Sequence, residues 1–308
     1  MFKWERKLIE RIDRYLPQLV WIFITLIALF IRRGGLWHVS FDFGSQFYTD
    51  DPGYLHTPFY TMFIWLVSHI PVTPIRTVKM IISLFDFGVA AAAVVLIRDR
   101  LGSRRDEPER WNKPESESNI RKLLTCYALL LISPVVIENG LTWIHADSIC
   151  FFAVLCAMIA HGRKKNVVGW ILLGAAAALQ MQYGVIMIGM AVYCLVKRKG
   201  GLKWIWVGIA VTAWLNIIAA IWADLSIWQC LYQLVNWLTV NPATGEMFGS
   251  SLLWVSVMLA YYGYLISSCA LIAAFCYEEQ HRRIRAAAII QVLLTIYLGW
   301  ILQYGYFG

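Results

Sequence analysis

The chain has 308 residues, of which 59% are hydrophobic and 15% charged, and its mean hydropathy is +0.60. Soluble domains usually carry about a quarter charged residues, so this composition excludes one and predicts a polytopic membrane protein. The net charge of +8 lies mostly in short segments between apolar runs, which is typical of cytoplasmic loops and argues against a nucleic-acid partner. The seven cysteines give no disulfide framework and no metal-ligand spacing with histidine.

The N-terminal part of the chain predicts one span and one polar loop. Residues 1–16 are amphipathic with five basic side chains, so the positive-inside rule places them in the cytoplasm, and 17–31 forms the first span. The segment 38–60, HVSFDFGSQFYTDDPGYLHTPFY, is then external. It concentrates acids and a histidine among aromatic rings in an otherwise apolar chain, so we expect acid-base chemistry here.

The next two segments decide the topology. Residues 58–72 are apolar but short and bounded by prolines, whereas 98–122 carries eight basic side chains, which favours the cytoplasm. The loops alternate only if 58–72 does not cross the membrane, so it is predicted to be an interfacial or re-entrant helix, with 76–97 as the second span. The charged composition of 98–122 predicts a solvated cytoplasmic loop.

The rest of the chain alternates between apolar runs and short loops. Spans are predicted at 123–139 and 147–160, in the two arms of a hairpin at 167–196, and at 204–224, 252–275 and 286–303. Each hairpin arm has about fifteen residues, fewer than the roughly twenty that cross a bilayer core. The tip, LQMQYG (179–184), is therefore expected to leave a recess where a lipid-linked substrate enters sideways.

These segments predict an all-α polytopic membrane protein with about nine transmembrane helices and an external juxtamembrane helix after the first span. The whole chain, 1–308, is predicted to form a single transmembrane domain. Its other parts are the cytoplasmic N-terminus 1–16, the external loop and interfacial helix 32–75, the cytoplasmic loop 98–122 and the external loop 225–251. A bacterial plasma membrane is favoured over an endoplasmic reticulum membrane.

Three stretches resemble the integral-membrane glycosyltransferases of the GT-C superfamily, which use polyprenyl-phosphate sugars. The stretch SFDFGSQFYTDDPGYLHTPFYTM is similar to the acidic first external loop of the lipid-linked mannosyl- and glucosyltransferases. RTVKMIISLFDFG (76–88) is similar to their second span, and SPVVIENGLTWIHADSICF (133–151) to an external turn and the start of the next span. Thr57-Pro58 stands where the family usually has a double proline, and the hairpin tip lacks the usual lysine.

The resemblance implies an inverting sugar transfer from a polyprenyl- or dolichyl-phosphate donor, as in the mannosyltransferases, to a glycan, lipid or protein acceptor on the non-cytoplasmic face. By motif position, Asp42 is the base, and the acceptor is oriented by Asp50, Asp51 and His56. The donor phosphate is assigned to Arg76, Lys79, His145 and Asp147, and the lipid-carrier groove to Gln180, Gln182 and Tyr183. The resemblance implies no particular cofactor, and a divalent cation, Mg²⁺ or Mn²⁺, at Asp50-Asp51 is left open.

Several of these residues also have a structural interpretation. Asp50 and Asp51 precede Pro-Gly and are typical of a turn. Arg76 and Lys79 lie one helical turn apart at a span end, where they either snorkel to the membrane surface or bind phosphate.

The polar residues inside and beside the spans also have a structural interpretation. His145 and Asp147 suit a helix cap. Asp86 lies within a span, where a carboxylate is usually paired inside the bundle, so a structural hydrogen bond is favoured over catalysis. Arg32 and Arg33 are expected to contact lipid headgroups or the donor phosphate.

Two other functions fit the same composition. A lipid-linked-sugar transporter or flippase is one, but transporters tend to show paired half-sequences with broken helices, and no such repeat is visible. A non-catalytic subunit of a glycosylation complex, bound to a partner enzyme, is the other. Assaying a panel of donor lipids separates these classes.

Overall fold

The computed structural model describes residues 3–37, 57–70, 74–102, 117–133, 136–137, 141, 147–196, 200–226, 228–230, 263–264, 266–272 and 285–297. Within these ranges every regular element is a helix, which confirms the predicted all-α class. The predicted site residues Asp42, Asp50, Asp51, His56 and His145 lie outside the described residues, as does most of the predicted span 252–275 and loop 225–251.

The helices are named in chain order. They are α1 Lys3–Trp37, α2 Pro58–Ser68, α3 Pro74–Gly102, α4 Glu117–Ile132, α5 Asp147–Gly162, α6 Asn166–Leu179, α7 Met181–Val196 and α8 Ile205–Trp222. A short 3₁₀ helix, Gly200–Trp204, precedes α8, and a further apolar helix, α9, covers Arg285–Tyr297.

Three of the described helices are long and apolar enough to cross a membrane. The apolar stretches are Tyr15–Leu36 in α1, Arg76–Asp99 in α3 and Gly201–Trp222 around α8, with 22, 24 and 22 residues. At about 1.5 Å per residue, each exceeds the roughly 30 Å of a hydrocarbon core. By composition and helix length this is a membrane protein, and the finer count of nine spans stays a prediction.

Several helix ends differ from the predicted ones. α1 continues through Pro17, so residues 3–16 of the amphipathic segment and the first span form one helix. The charged loop is shorter than the predicted 98–122, because α3 continues to Gly102 and α4 begins at Glu117. α4 ends at Ile132 and not near 139, because the proline at 134 disfavours helical backbone in the residue before it.

The chain divides into two compact units. The first comprises Met1–Ser45 and Val67–Leu155, and the second Gln46–Leu66 and Cys156–Gly308. In the first unit α1, α3 and α4 pack around a core of four buried residues, Ala28, Ala90, Tyr127 and Leu131. The alanines have small side chains, which lets the helix backbones approach closely.

In the second unit α6 and α8 are in close backbone contact. Gly174 of α6 lies against the carbonyl group of Gly208 in α8. The Thr212 hydroxyl donates a 2.9 Å hydrogen bond to the Gly174 carbonyl. Trp170 is fully buried, and its indole N–H donates to the Gly201 carbonyl at 2.8 Å. The two glycines allow this approach because neither carries a Cβ atom.

α6 and α7 form the predicted hairpin. Gln180, the residue between them, has extended backbone (φ −142°, ψ 124°), which ends α6. A Cβ atom at Gly184 would lie 3.7 Å from Ala177 Cβ. Seven residues along one continuous helix would separate these positions by about 10 Å, so the chain folds back on itself here. The arms have 14 and 16 residues, which confirms the prediction of two short arms.

Candidate functional site

A buried polar cluster in the first unit is centred on Asp86 of α3. Arg32 Nη2 and Nε lie 3.2 and 3.4 Å from Asp86 Oδ2, and the Ser148 hydroxyl donates to Oδ1. Arg32 and Asp86 are each 2% exposed. Both carboxylate oxygens are hydrogen-bonded and the charge is paired, as a carboxylate within a membrane requires. The predicted pairing of Asp86 inside the bundle is confirmed.

The predicted contact of Arg32 with lipid headgroups or a donor phosphate is wrong. Besides its ion pair with Asp86, Arg32 donates from Nη1 to the Leu131 carbonyl at 2.8 Å, and its guanidinium carbon lies 5.1 Å from the centre of the Phe87 ring. A planar guanidinium can donate to several acceptors at once. Arg32 therefore stays buried inside the unit, where Asp86 of α3 balances its charge. Arg33, the next residue, is exposed.

Lys79 is also buried and not at a lipid-facing surface. It is 1% exposed, and its Nζ donates to the Gly35 carbonyl at 3.3 Å. Gly35 is in the last turn of α1, where backbone carbonyls lack a donor from their own helix. Snorkelling to the membrane surface is therefore wrong for Lys79, whereas Arg76 is half-buried near the start of α3. Asp147 opens α5, where the helix dipole favours a carboxylate.

A second polar cluster, in the second unit, lies where α6 ends and α2 begins. The Thr57 hydroxyl lies 2.6 Å from the Ala178 carbonyl oxygen and 2.9 Å from that of Leu179, and donates to them. These carbonyls belong to the last turn of α6 and lack intrahelical donors. The backbone N–H of Tyr60 in turn donates to the Thr57 hydroxyl at 3.2 Å. One side chain thus caps the end of one helix and the start of another.

α2 continues the line of α6 along α8. The Phe59 N–H donates to Asn216 Oδ1 at 3.3 Å, and the rings of Trp65 and Trp222 lie 4.8 Å apart. From the first of these contacts to the second, the residue numbers increase in both helices, so α2 runs in the same direction as α8. These contacts lie beyond the level at which α6 contacts Gly208. We call α6 and α2 the composite column. The 14 residues of α6 and the 11 of α2 correspond to helix lengths of about 21 and 16 Å.

The predicted carrier-groove residues lie at the break between α6 and α7. Gln182 donates from Nε2 to Gln180 Oε1 at 3.1 Å, and the Tyr183 side chain is buried. Thr57 satisfies the carbonyls at the tip, as a helix break at membrane depth requires. α2 lies next to α8 beyond the tip, and the recess expected at the tip stays a prediction. A lateral opening for the carrier stays a prediction.

The sequence interpretation missed Thr57 and Asn216 as polar anchors, although each has a signal. Thr57 precedes a proline at the first position of a helix, which is a strong start signal. Asn216 is a polar residue within an 18-residue apolar helix. In the described ranges no three His, Cys, Asp or Glu side chains are grouped as a metal site.

Comparisons of the chain with protein-family models, curated proteins and solved structures gave no match.

Proposed function

We propose that the chain is a membrane glycosyltransferase that moves one sugar, with inversion, from a polyprenyl-phosphate donor to an acceptor hydroxyl on the non-cytoplasmic face. The observation that carries the proposal is the junction at Thr57. Thr57 lies within the acidic segment 38–60, and its hydroxyl donates hydrogen bonds to carbonyls at the end of α6, the first arm of the hairpin assigned to the lipid carrier. Thr57 and α6 belong to the same compact unit.

Chain connectivity limits the distance of each acidic residue from a helix end that the structure describes. Asp50 and Asp51 precede Thr57 by seven and six residues. A fully extended chain of seven residues spans at most about 25 Å. Asp42 follows the last residue of α1, Trp37, by five residues. That separation corresponds to at most about 18 Å.

In the proposed reaction the Asp42 carboxylate accepts the proton of the acceptor hydroxyl while the hydroxyl oxygen attacks the anomeric carbon. The bond between that carbon and the phosphate oxygen breaks, and the polyprenyl phosphate leaves with one additional negative charge. A nearby cation stabilises this charge. Arg76, which is half-buried, is better suited than Lys79, whose ammonium group is buried against the Gly35 carbonyl.

α7 offers a surface that suits the prenyl chain. Ile188, Val192 and Leu195 follow one another at spacings of four and three residues, so they share one face of the helix, and all three are exposed. Gln180, just before α7, and Gln182, in its first turn, provide polar groups at this end of the helix. An apolar face that ends at a polar break fits a lipid with an apolar tail and a polar head.

The test uses the full chain purified in nanodiscs with a panel of polyprenyl phosphates carrying different hexoses, and a membrane-lipid extract as acceptor source. Release of free polyprenyl phosphate is measured by mass spectrometry. Asp42→Asn is expected to lower the rate by about 10²–10⁴-fold, because the amide cannot accept the proton. Asp224→Asn is the matched control. Asp224 is exposed with φ 52°, a conformation that asparagine adopts readily, so this variant should keep the rate.

The transfer rates of the three Asp→Asn variants, at positions 42, 50 and 51, distinguish between the possible outcomes. If Asp50→Asn or Asp51→Asn is inactive while Asp42→Asn turns over normally, the base has been assigned to the wrong residue. Full activity in all three variants would contradict the proposal. Movement of intact donor across a vesicle membrane, with no sugar released, would favour the transporter instead.

A further inference from the structure

The buried cluster around Asp86 joins the ends of helices. Leu131 is the next-to-last residue of α4, and its carbonyl, which lacks a donor from its own helix, accepts the 2.8 Å hydrogen bond from Arg32 Nη1. Ser148 is the second residue of α5, and its hydroxyl donates to Asp86 Oδ1. Arg32 itself lies five residues before the end of α1. One ion pair therefore links α3 to the ends of three other helices.

This arrangement contributes more to geometry than to stability. A buried ion pair gains little over an apolar pair of similar volume, because removing the two charges from water costs about as much as their attraction returns. The directions of the hydrogen bonds are specific, however. The fork of Arg32 fixes its distance to both Asp86 and Leu131, and an apolar side chain cannot do so.

We propose that Arg32, Asp86 and Ser148 are positioning residues for the sugar transfer, a role that rests on the proposed function. They fix the end of α1, from which the chain enters the segment carrying Asp42, and the first turn of α5, which begins with Asp147. The three side chains do not themselves contact the reacting groups. They act through the helix ends that lead to the predicted base and the predicted phosphate ligand.

The test is the double variant Arg32→Met/Asp86→Leu in the full-length protein. It removes both charges of the pair together, so the protein should still insert and fold, with a melting temperature lowered only by the loss of the hydrogen bonds to Leu131 and Ser148. The hydrogen bonds to Leu131 and Ser148 are lost, and misplacement of reacting groups commonly lowers kcat by about 10²-fold. KM for the donor should change less than kcat, because the predicted prenyl-chain surface on α7 is outside the cluster and only the predicted phosphate ligand at the start of α5 is displaced. Ser148→Ala should show a smaller effect in the same direction.

A matched control removes a different polar contact in the same unit. The Thr25 and Tyr127 hydroxyls lie 3.0 Å apart and link α1 to α4 away from the helix ends. Thr25→Val/Tyr127→Phe should therefore leave kcat unchanged, even where it lowers the melting temperature. Ser83→Ala is the control for loss of one buried hydroxyl in α3.

A second measurement does not depend on activity. In hydrogen–deuterium exchange, peptides covering 28–37 and 147–152 should exchange about tenfold faster in Arg32→Met/Asp86→Leu, and those covering 166–179 should not change. A folded double variant with full kcat would overturn the proposal, and so would a loss of kcat with unchanged exchange at both helix ends. If no donor supports transfer by the original chain, the proposed function fails. The exchange data then still decide whether these residues fix the helix ends.

Discussion

Replacing Gly174 by alanine should separate α6 from α8. A Cβ atom at Gly174 would collide with the Gly208 carbonyl oxygen and would lie 3.0 Å from the Gly208 Cα and carbonyl carbon. All three atoms belong to the backbone, so no side-chain rotation removes the overlap. One helix must shift by about 1 Å, and overpacking of this kind costs about 1–3 kcal/mol.

Two further contributions determine how much Gly174→Ala changes the free energy of unfolding. The shift lengthens the 2.9 Å hydrogen bond from Thr212 to the Gly174 carbonyl. The net contribution of such a bond is about 0.5–1.5 kcal/mol. Alanine offsets part of this loss, because its helix propensity is better than that of glycine by about 1 kcal/mol. We therefore expect Gly174→Ala to lower the free energy of unfolding by about 1–3 kcal/mol.

Gly184→Ala is the matched control on α7. Its Cβ would lie 3.7 Å from Ala177 Cβ, an ordinary contact, so the substitution should be neutral or stabilising by about 0.4–1 kcal/mol. Both variants are compared by steric trapping in bicelles, which reports the free energy of unfolding in a bilayer-like environment. If Gly174→Ala is as stable as Gly184→Ala, the close contact of α6 with α8 is refuted.

Three further predictions concern single contacts and the topology. Thr57→Val should destabilise the second unit by about 1–3 kcal/mol in the same assay, because the Ala178 and Leu179 carbonyls lose their donor. Thr61→Val, which removes only a bond within one helical turn, should cost less, and equal losses would argue against the junction. Trp170→Phe should cost about 1–3 kcal/mol, because the Gly201 carbonyl loses the indole N–H; an unchanged free energy of unfolding would contradict this. In intact cells, a reagent that cannot cross the membrane should label a cysteine introduced at position 45 but not one at position 110, and the reverse labelling would invert the predicted topology.

The sequence was sufficient for features that depend on local composition. Apolar runs predicted the helical class, and the short arms on either side of Gln180 predicted the hairpin. Asp86 was expected to be paired because a carboxylate within a span needs a partner, and it is paired. In each case the physical requirement lies in the segment itself.

The sequence did not indicate which residues Arg32, Asp86 and Lys79 contact. Arg32 and Asp86 are 54 residues apart, and nothing in either segment indicates that their helices are neighbours. Arg32 therefore looked like a surface cation, and Lys79 like a snorkelling one. The end of α4 was also missed, because the apolar composition continues beyond Ile132 and the proline at 134 was not taken as a helix end. The burial of Arg32 and Lys79 depends on tertiary contacts that a periodicity does not encode.

The composite column has a consequence for how the protein is made. Thr57 and the Ala178 carbonyl are 121 residues apart in the chain. When α2 leaves the ribosome, α6, whose end it will contact, has not been synthesised. The eleven residues of α2 are too few to span a bilayer alone. The segment must therefore wait at the membrane surface or beside the translocation machinery until α6 and α8 have been inserted. Completion of this part of the protein is then a late, long-range step, and translation that stops before Trp222 leaves α2 without its docking partner.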